Sequence, residues 1–443
     1  MNNELQYAGE FNIAECKLHT IKNSVVDISQ EVLEINIYED IEKGGIVGNM
    51  LIVDTHSLVT VLPIVGQEKI SIKIKTPGFD EENSIIDFTD EHMFVVTKLA
   101  LRSELSKGAQ AYQLDFSSQE LLTNNRITMS KSYTNNISAI VEDILTNEIY
   151  IGTTKKLFTE KTQGVRKIIV PNTQPFNIIN KLANQAISSK TQSPHYLFYE
   201  NADGFHFRTL QDLYQQPSLG VFHNGENIFN KNSSPRTTTN FEPKSEIVVD
   251  LKRILDYELH NNNDMFMNAR SGMLASTNIA HDIYSKNYVK TKYDYFDEFE
   301  TNKRISNTSN PKYSEDGKLE KYFTARTFVH PISTTGGNDA NYSGNIAANK
   351  RDETFFADRT SRIFEMQKGI SMTMTIPGNT AMRVGKTLSV DLPVVGVDHD
   401  ETKIDKYLSG NFIVQKLRHQ FMTSTRTHLV HMEITKDCVE TLI

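Results

Sequence analysis

The sequence predicts a mainly β fold that also carries an α+β domain and a polar insertion. Three observations predict it. Period-two alternation recurs near both ends of the chain, a helical apolar stripe appears only between them, and long Asn/Ser/Thr/Gly-rich stretches separate the zones. Alternation with one polar face marks half-buried antiparallel strands, whereas i, i+3, i+4 spacing marks an amphipathic helix.

In the run 31–40, Leu33, Ile35 and Ile37 fall on one face, with Glu34, Asn36 and Tyr38 on the other. In 69–75, Ile70, Ile72 and Ile74 oppose Lys69, Ser71, Lys73 and Lys75, and Pro77-Gly78 closes the strand as a turn. The stretch 93–103 and the run Tyr112, Leu114, Phe116 add further strands. Several short strands separated by turns predict a barrel or a sandwich.

The period then changes. Ile137, Ile140, Val141, Ile144 and Leu145 form one stripe of a helix within 135–147. A second helix is expected over 175–188, with Pro175 at its first position and Ile179, Leu182, Ala183 and Ala186 on its apolar side. Tyr196-Leu197-Phe198-Tyr199, Asn201-Ala202-Asp203-Gly204 and Phe205-His206-Phe207 read as a hairpin whose Asp-Gly supplies the turn. The Asn/Thr/Ser/Pro-rich stretch 222–245 reads as a linker.

Strand patterning returns in 246–260 and 277–296. Residues 300–350 read as either an exposed polar extension or a partly disordered stretch, followed by a helix near 352–367. At the end, Ile370, Met372, Met374 and Ile376 alternate with Ser371, Thr373 and Thr375, and Pro377-Gly378 repeats the Pro77-Gly78 closure. Leu388, Val390 and Leu392 (closed by Pro393), Phe412 and Val414, and Val430, Met432 and Ile434 give three more strands. The expected organisation is a first β domain over 1–118, an α+β domain over 119–235, a second β domain split between 236–298 and 366–443, and a polar insertion with a helix over 299–365.

Composition narrows the function. At 443 residues the chain has room for two to four domains, since a domain runs to roughly 100–200 residues. Its 23 Phe and 17 Tyr, with no Trp, lean toward strands. A net charge of −8 argues against a stable grip on nucleic acid, which needs several cation–phosphate contacts. Cys16 and Cys438 are too few for a disulfide framework and read as reduced thiols of a cytosolic product. MNNELQYAGE lacks the basic and apolar regions of a signal peptide, and no apolar run has the ~18 residues a membrane helix needs.

The candidate chemistry is thin. His428 and His431, with His419 nearby, are the closest histidine set, but an odd spacing on a strand points 428 and 431 to opposite sides, so no metal site is expected. Asp398-His399-Asp400-Glu401 reads as a solvated hairpin tip rather than a pair of catalytic carboxylates, which would need an apolar wall to raise one pKa. Gly44-Gly45 and Gly48 lie between strands with no helix following, so a hairpin or bulge accounts for them better than a phosphate loop. Gly336-Gly337 lies in the polar stretch. Phe205, His206 and Phe207 could form a stacking platform, yet Phe205 and Phe207 share a face and are expected to pack on the 175–188 helix. No hydrolase, dinucleotide, P-loop or zincin motif is present. No catalytic, cofactor or metal site is therefore assigned.

Several segments resemble the baseplate hub protein of contractile-tailed bacteriophages. Ile37-Tyr38-Glu39-Asp40 followed by Leu62-Pro63-Ile64-Val65-Gly66-Gln67-Glu68 is similar to that family's first barrel. The helix at Pro175-Phe176, the run Ala186-Ile187-Ser188-Ser189-Lys190 and the hairpin Tyr196–Phe207 resemble its α+β domain. Ile279-Ala280-His281-Asp282-Ile283 resembles a strand of its second barrel. Val384-Gly385 and Leu408-Ser409-Gly410-Asn411-Phe412 through Lys416-Leu417-Arg418-His419 resemble its closing strands. The resemblance covers about 30 to 436 and rests on packing and turn motifs.

It implies two similar antiparallel barrels per chain and a homotrimer forming a pseudo-sixfold ring. The hexameric tail tube would stack on one side and the central spike on the other, with tape-measure and baseplate wedge proteins as further neighbours. The ring would frame a channel that DNA passes without sticking, and the acidic balance predicts a neutral-to-acidic lumen. The place would be the virion tail baseplate, assembled in host cytoplasm, with no membrane insertion and no cofactor. Because the chain stops at Ile443, the spike is expected to be a separate protein. The competing readings are a cell-wall-binding or peptidoglycan-hydrolysing tail component, which would use the 398–401 acids, and the spike base of a secretion-type injection system.

Overall fold

The structure is a computed structural model that describes residues 5–22, 24–56, 58–62, 64–78, 84–106, 108–224, 247, 249–261, 264–282, 286–295, 297–299, 303–305, 326–332, 350–394 and 404–437. The chain opens with β1 (Asn12–His19), β2 (Val25–Asp27), β3 (Val32–Asp40), β4 (Val47–Asp54), the single turn α1 (Leu58–Val61), β5 (Lys69–Lys75), β6 (Ile85–Phe88), β7 (Phe94–Ser106) and β8 (Ala109–Ser118). Next come α2 (Gln119–Arg126), β9 (Met129–Asn135), α3 (Ile137–Thr146), β10 (Leu157–Thr159), β11 (Arg166–Thr173), α4 (Pro175–Ala183), β12 (Tyr196–Asn201), β13 (Gly204–Thr209), α5 (Leu210–Tyr214) and β14 (Val221–His223). The last part holds β15 (Asp256–Asn261), α6 (Met265–Ser271), β16 (Ala275–Asp282), β17 (Asn287–Asp294), β18 (Arg326–Ile332), α7 (Lys350–Lys368), β19 (Ile370–Pro377), β20 (Thr387–Asp391), β21 (Gly410–Met422) and β22 (Thr427–Lys436). The chain is mainly β with an α+β part, as its alternation predicts.

Fourteen strands join one sheet, in the order β15-β19-β22-β21-β3-β4-β8-β7-β5-β1-β2, with β6 on β5 and β20 bridging β21 to β14. Strands of both expected barrels share this one sheet. No ring of hydrogen-bonded strands closes among the described residues. The two strand-rich ends are instead sewn together where β21 pairs antiparallel with β3, from Lys416↔Asp40 to Met422↔Glu34. An exposed strand edge carries unmet backbone groups, and pairing these two edges satisfies both.

The sheet curls around two cores. One is filled by Ile35, Ile37, Met50, Ile70, Ile72, Ile74, Phe94 and Phe116, the other by Met372, Met374, Ile376, Leu388, Val390, Phe412, Val430 and Met432. Alternation fails at Leu33. A bulge between Val32 and Glu34 shifts the register, so Val32 is buried and Leu33 is 38% exposed.

The middle segment builds its own core. Ile137, Ile140, Val141, Ile144 and Leu145 of α3 meet Phe176, Ile179 and Leu182 of α4 over the sheet β10-β13-β12. α4 stops at Ala183, short of the expected 188, although Ala186 and Ile187 remain buried. Phe205 and Phe207 are 1% exposed and lie in this core, with Phe205 6.1 Å from the Phe176 ring. The short helices α2, α5 and α6 carry no full apolar stripe, and the periodicity did not predict them.

The stretch assigned to the second β domain divides. β15 joins the large sheet beside β19, but β16 and β17 pair with each other and leave it. They form a separate sheet with β18, which runs parallel to β16 and comes from the stretch read as a polar extension. α7 spans the expected helix and packs on this sheet, where Tyr293, Tyr295, Met273, Leu274 and Ala357 make a small core. Residues 247, 249 and 250, expected in a strand, are helical. The 225–245 part of the linker, Gly336-Gly337 and the acids at 398–401 lie outside the described residues. Among the described residues no helix is long and apolar enough to cross a membrane.

Candidate functional site

Alternation gives the continuous sheet two unlike faces. From β19 to β8, one face packs on the cores while the other stays half-exposed and polar. Register places Thr373 beside Glu433, Thr375 beside His431, Arg418 beside Tyr38, Gln420 beside Asn36 and Asn49 beside Asp115 on that polar face.

These side chains bond to one another across the strands. The Thr375 hydroxyl lies 2.9 Å from His431 Nδ1, and His431 Nε2 lies 2.9 Å from Gln420 Oε1. The Gln420 amide donates to Glu34 Oε1 at 2.9 Å. One tautomer satisfies the whole chain, with Thr375 donating to His431, His431 to Gln420 and Gln420 to the Glu34 carboxylate. Arg418 donates to Glu34 at 3.2 Å and to Asn36 at 2.9 Å, and Asn36 donates to Asn49 at 2.9 Å. Lys416 donates to Glu433 at 2.8 Å.

Burial opposes ionisation of Glu34. Hydrogen bonds from Asn36 and Gln420 and the charge of Arg418 outweigh it and hold that carboxyl below its ordinary range. The cations on this strip are thus met by carboxylates of the same face.

Buried charges fix the other units to the sheet. Lys155 Nζ lies 2.8 Å from Glu120 and 2.6 Å from Glu200, all three buried. Glu200 also accepts from the Ile46 amide at 3.1 Å, which ties β12 to the β3–β4 connection. Burial raises the Glu200 pKa, and Lys155 counters only part of that. Glu39 on β3 accepts from the Ala202 amide at 2.9 Å and the Val384 amide at 3.0 Å. One carboxylate therefore touches the first strand module, the α+β hairpin and the closing module. Burial pushes Glu39 up to about 7, against the nearby Arg383.

On the far side, Arg304 donates to both oxygens of Glu365, Arg362 donates to the same carboxylate at 2.9 Å, and Asp437 accepts from the Ile305 amide at 3.0 Å. Arg359 on α7 donates to the carbonyls of Pro194 and Tyr196.

Of the histidines singled out in sequence, the structure joins His419 and His428 rather than His428 and His431. His419 Nδ1 lies 3.0 Å from His428 Nε2, with both rings buried. His431 is on the opposite face, in the polar chain. No group of three or more His, Cys, Asp or Glu that could hold a metal occurs among the described residues. Gly378 lies under this pair, where a Cβ would overlap the His428 ring. Gly44 and Gly45 are in the β3–β4 connection as expected, whereas Gly48 lies inside β4 and faces Phe116, whose ring a Cβ would overlap. His206 points away from Phe205 and Phe207, stacked between Phe158 and Tyr199 at 4.5 and 4.7 Å. Cys16 is buried, which pushes its thiol up to about 12.

A cleft of about 700 Å³ opens beside β6, lined by Lys73, Asp87, Asp90, Glu91, Lys155 and Asp203 among others. Two of its carboxylates, Asp87 and Asp203, are paired with cations. Lys73 lies 2.6 Å from Asp87, and Arg383 lies 3.0 Å from Asp203. Burial would raise Asp87, but Lys73 and Thr89 hold it low. A general acid needs the opposite shift.

No protein-family model matches the chain. Over 431 residues it is 20% identical to the probable baseplate hub protein gp334 of Vibrio phage KVP40, covering 93% of this chain and 90% of that protein. The fold is similar to a tail protein from Neisseria meningitidis MC58, with TM-score 0.55, 10% identity and 97% of each chain covered. It is also similar to the 43 kDa tail protein of prophage MuSo2 from Shewanella oneidensis, with TM-score 0.53 and 9% identity, over 96% of this chain and 98% of that one. The weak identity and the matching architecture agree along nearly the whole length: the chain is similar to a phage baseplate hub protein and has the fold of phage tail proteins.

Proposed function

We propose that the chain is a structural hub of a phage tail baseplate, in which three copies form a pseudo-sixfold ring that joins the tail tube to the central spike and frames part of the DNA channel. The observation that carries this reading is the continuous sheet through both strand-rich ends. Each chain contributes two curved modules in series, so three chains present six, matching a hexameric tube on one side and a trimeric spike on the other. The buried junctions at Glu39 and Lys155 support it, because they hold the modules as one rigid wall. The location that follows is the virion tail, and the partners are a second and third copy, the spike and the tube.

Native mass spectrometry of the chain, alone and with spike and tube proteins, tests the ring. Three-chain species are expected, and monomer under every condition would overturn it. A zymogram on purified cell wall tests the absence of enzymatic activity. No clearing is expected, and clearing lost on Asp398→Asn with Asp400→Asn would overturn the purely structural reading.

A further inference from the structure

We propose that Glu34 and Glu433 are charge-cancelling residues of the channel wall, holding Arg418 and Lys416 away from the phosphates of passing duplex DNA. The inference rests on the ring reading and names the surface that does the work. A wall built from this sheet must turn one face to its cores, so only the polar face is free to meet the lumen. That face carries Arg418, Lys416 and, opposite Asp115 in the register, Lys98. Glu34 lies 3.2 Å from Arg418, and Glu433 lies 2.8 Å from Lys416. Further carboxylates share the face, with Asp40 opposite Lys416 and Glu258 opposite Thr373.

The uncharged members, Thr375, His431, Gln420, Asn36 and Asn49, are bonded to each other and offer few unmet donors. Duplex DNA is held chiefly through cation–phosphate contacts, each releasing about 0.9 counterion. Removing two shields per chain would expose two cations per chain. Around a three-copy ring the salt slope of log K would then approach about −5.

The experiment measures anisotropy of a labelled linear duplex against the full-length assembled protein, across a salt series. Wild type is expected to bind weakly with a shallow slope. Glu34→Gln combined with Glu433→Gln keeps side-chain size and is expected to bind at least tenfold tighter at low salt, with a steep slope. Asp87→Asn is the comparison, because it frees Lys73 outside the strip. A double variant that native mass shows assembled as wild type, yet gains no affinity, overturns the shields and leaves the ring standing. An equal gain in Asp87→Asn overturns their placement on this strip. A chain that stays monomeric overturns the ring and this proposal with it.

Discussion

The protein pairs cations with carboxylates in two settings, and their physics differs. In the junction of Lys155, Glu120 and Glu200 the side chains are 6%, 9% and 0% exposed. On the polar strip, Lys416 and Glu433 are 49% and 31% exposed, and Arg418 and Glu34 are 35% and 29%. Distances are alike, from 2.6 to 3.2 Å. Water makes the difference. It screens the strip pairs to little net stability, whereas a buried charge that loses its partner must bear its desolvation alone. The junctions therefore hold the modules together, and the strip pairs shape what the surface presents to the outside.

The largest expected effect breaks the buried side of this contrast. Lys155→Met leaves Glu120 and Glu200 facing each other without a cation and should cost about 3–5 kcal/mol in urea unfolding. Glu365→Gln, which deprives Arg304 and Arg362 together, should cost a similar amount. A loss under about 1 kcal/mol in either would mean that water reaches these sites and the contrast fails.

An intermediate effect is pH-dependent. His419 and His428 are buried and neutral, with burial pushing His419 down to about 3 and His428 well below its ordinary value. An unfolded histidine titrates near 6.5, so their contribution is complete above about 6.5 and is lost as pH falls toward about 3. Urea midpoints measured from pH 7.5 down to 4.5 should fall steadily, and His428→Gln should flatten that slope. An unchanged slope in the variant would assign the acid sensitivity to other groups, such as the buried His206.

The smallest stability effect is expected on the strip. Glu433→Gln should change unfolding free energy by about 0–1 kcal/mol. A loss as large as that of Lys155→Met would erase the distinction between the two settings.

Much of the fold was legible in the sequence because burial of one strand face imposes period two. Ile70, Ile72 and Ile74 are each buried, as are Met372, Met374 and Ile376. The helix stripe at 137–145 was legible for the same reason. Leu33 was misread because a bulge changes facing without changing composition. β18 escapes the periodicity because Arg326–Ile332 sits inside a polar stretch and forms a strand by pairing parallel to β16. The repeated Pro-Gly closures mark a point where the two ends meet. Thr76, beside the first, and Thr380, beyond the second, exchange reciprocal hydrogen bonds at 3.0 and 3.1 Å. The polar strip was half legible: alternation named Glu34, Asn36 and Tyr38 as one outward face, but nothing local paired them with Arg418 or Gln420.

The sequence by itself determined the strands that alternate strictly, such as 69–75 and 370–376, the side of them that is buried, and where the helical core of the middle segment lies. These follow from local periodicity and from the cost of exposing apolar side chains. Only the tertiary structure decided that β21 pairs with β3, so that strands of both ends share one sheet, and that β16 and β17 leave it for β18. It also decided which histidines meet and which carboxylate faces which cation. Those outcomes depend on contacts nearly four hundred residues apart along the chain, such as Arg418 with Glu34. Strand edges and long polar side chains accept many partners equally well, so pairing is set by the packing of whole modules rather than by local pattern.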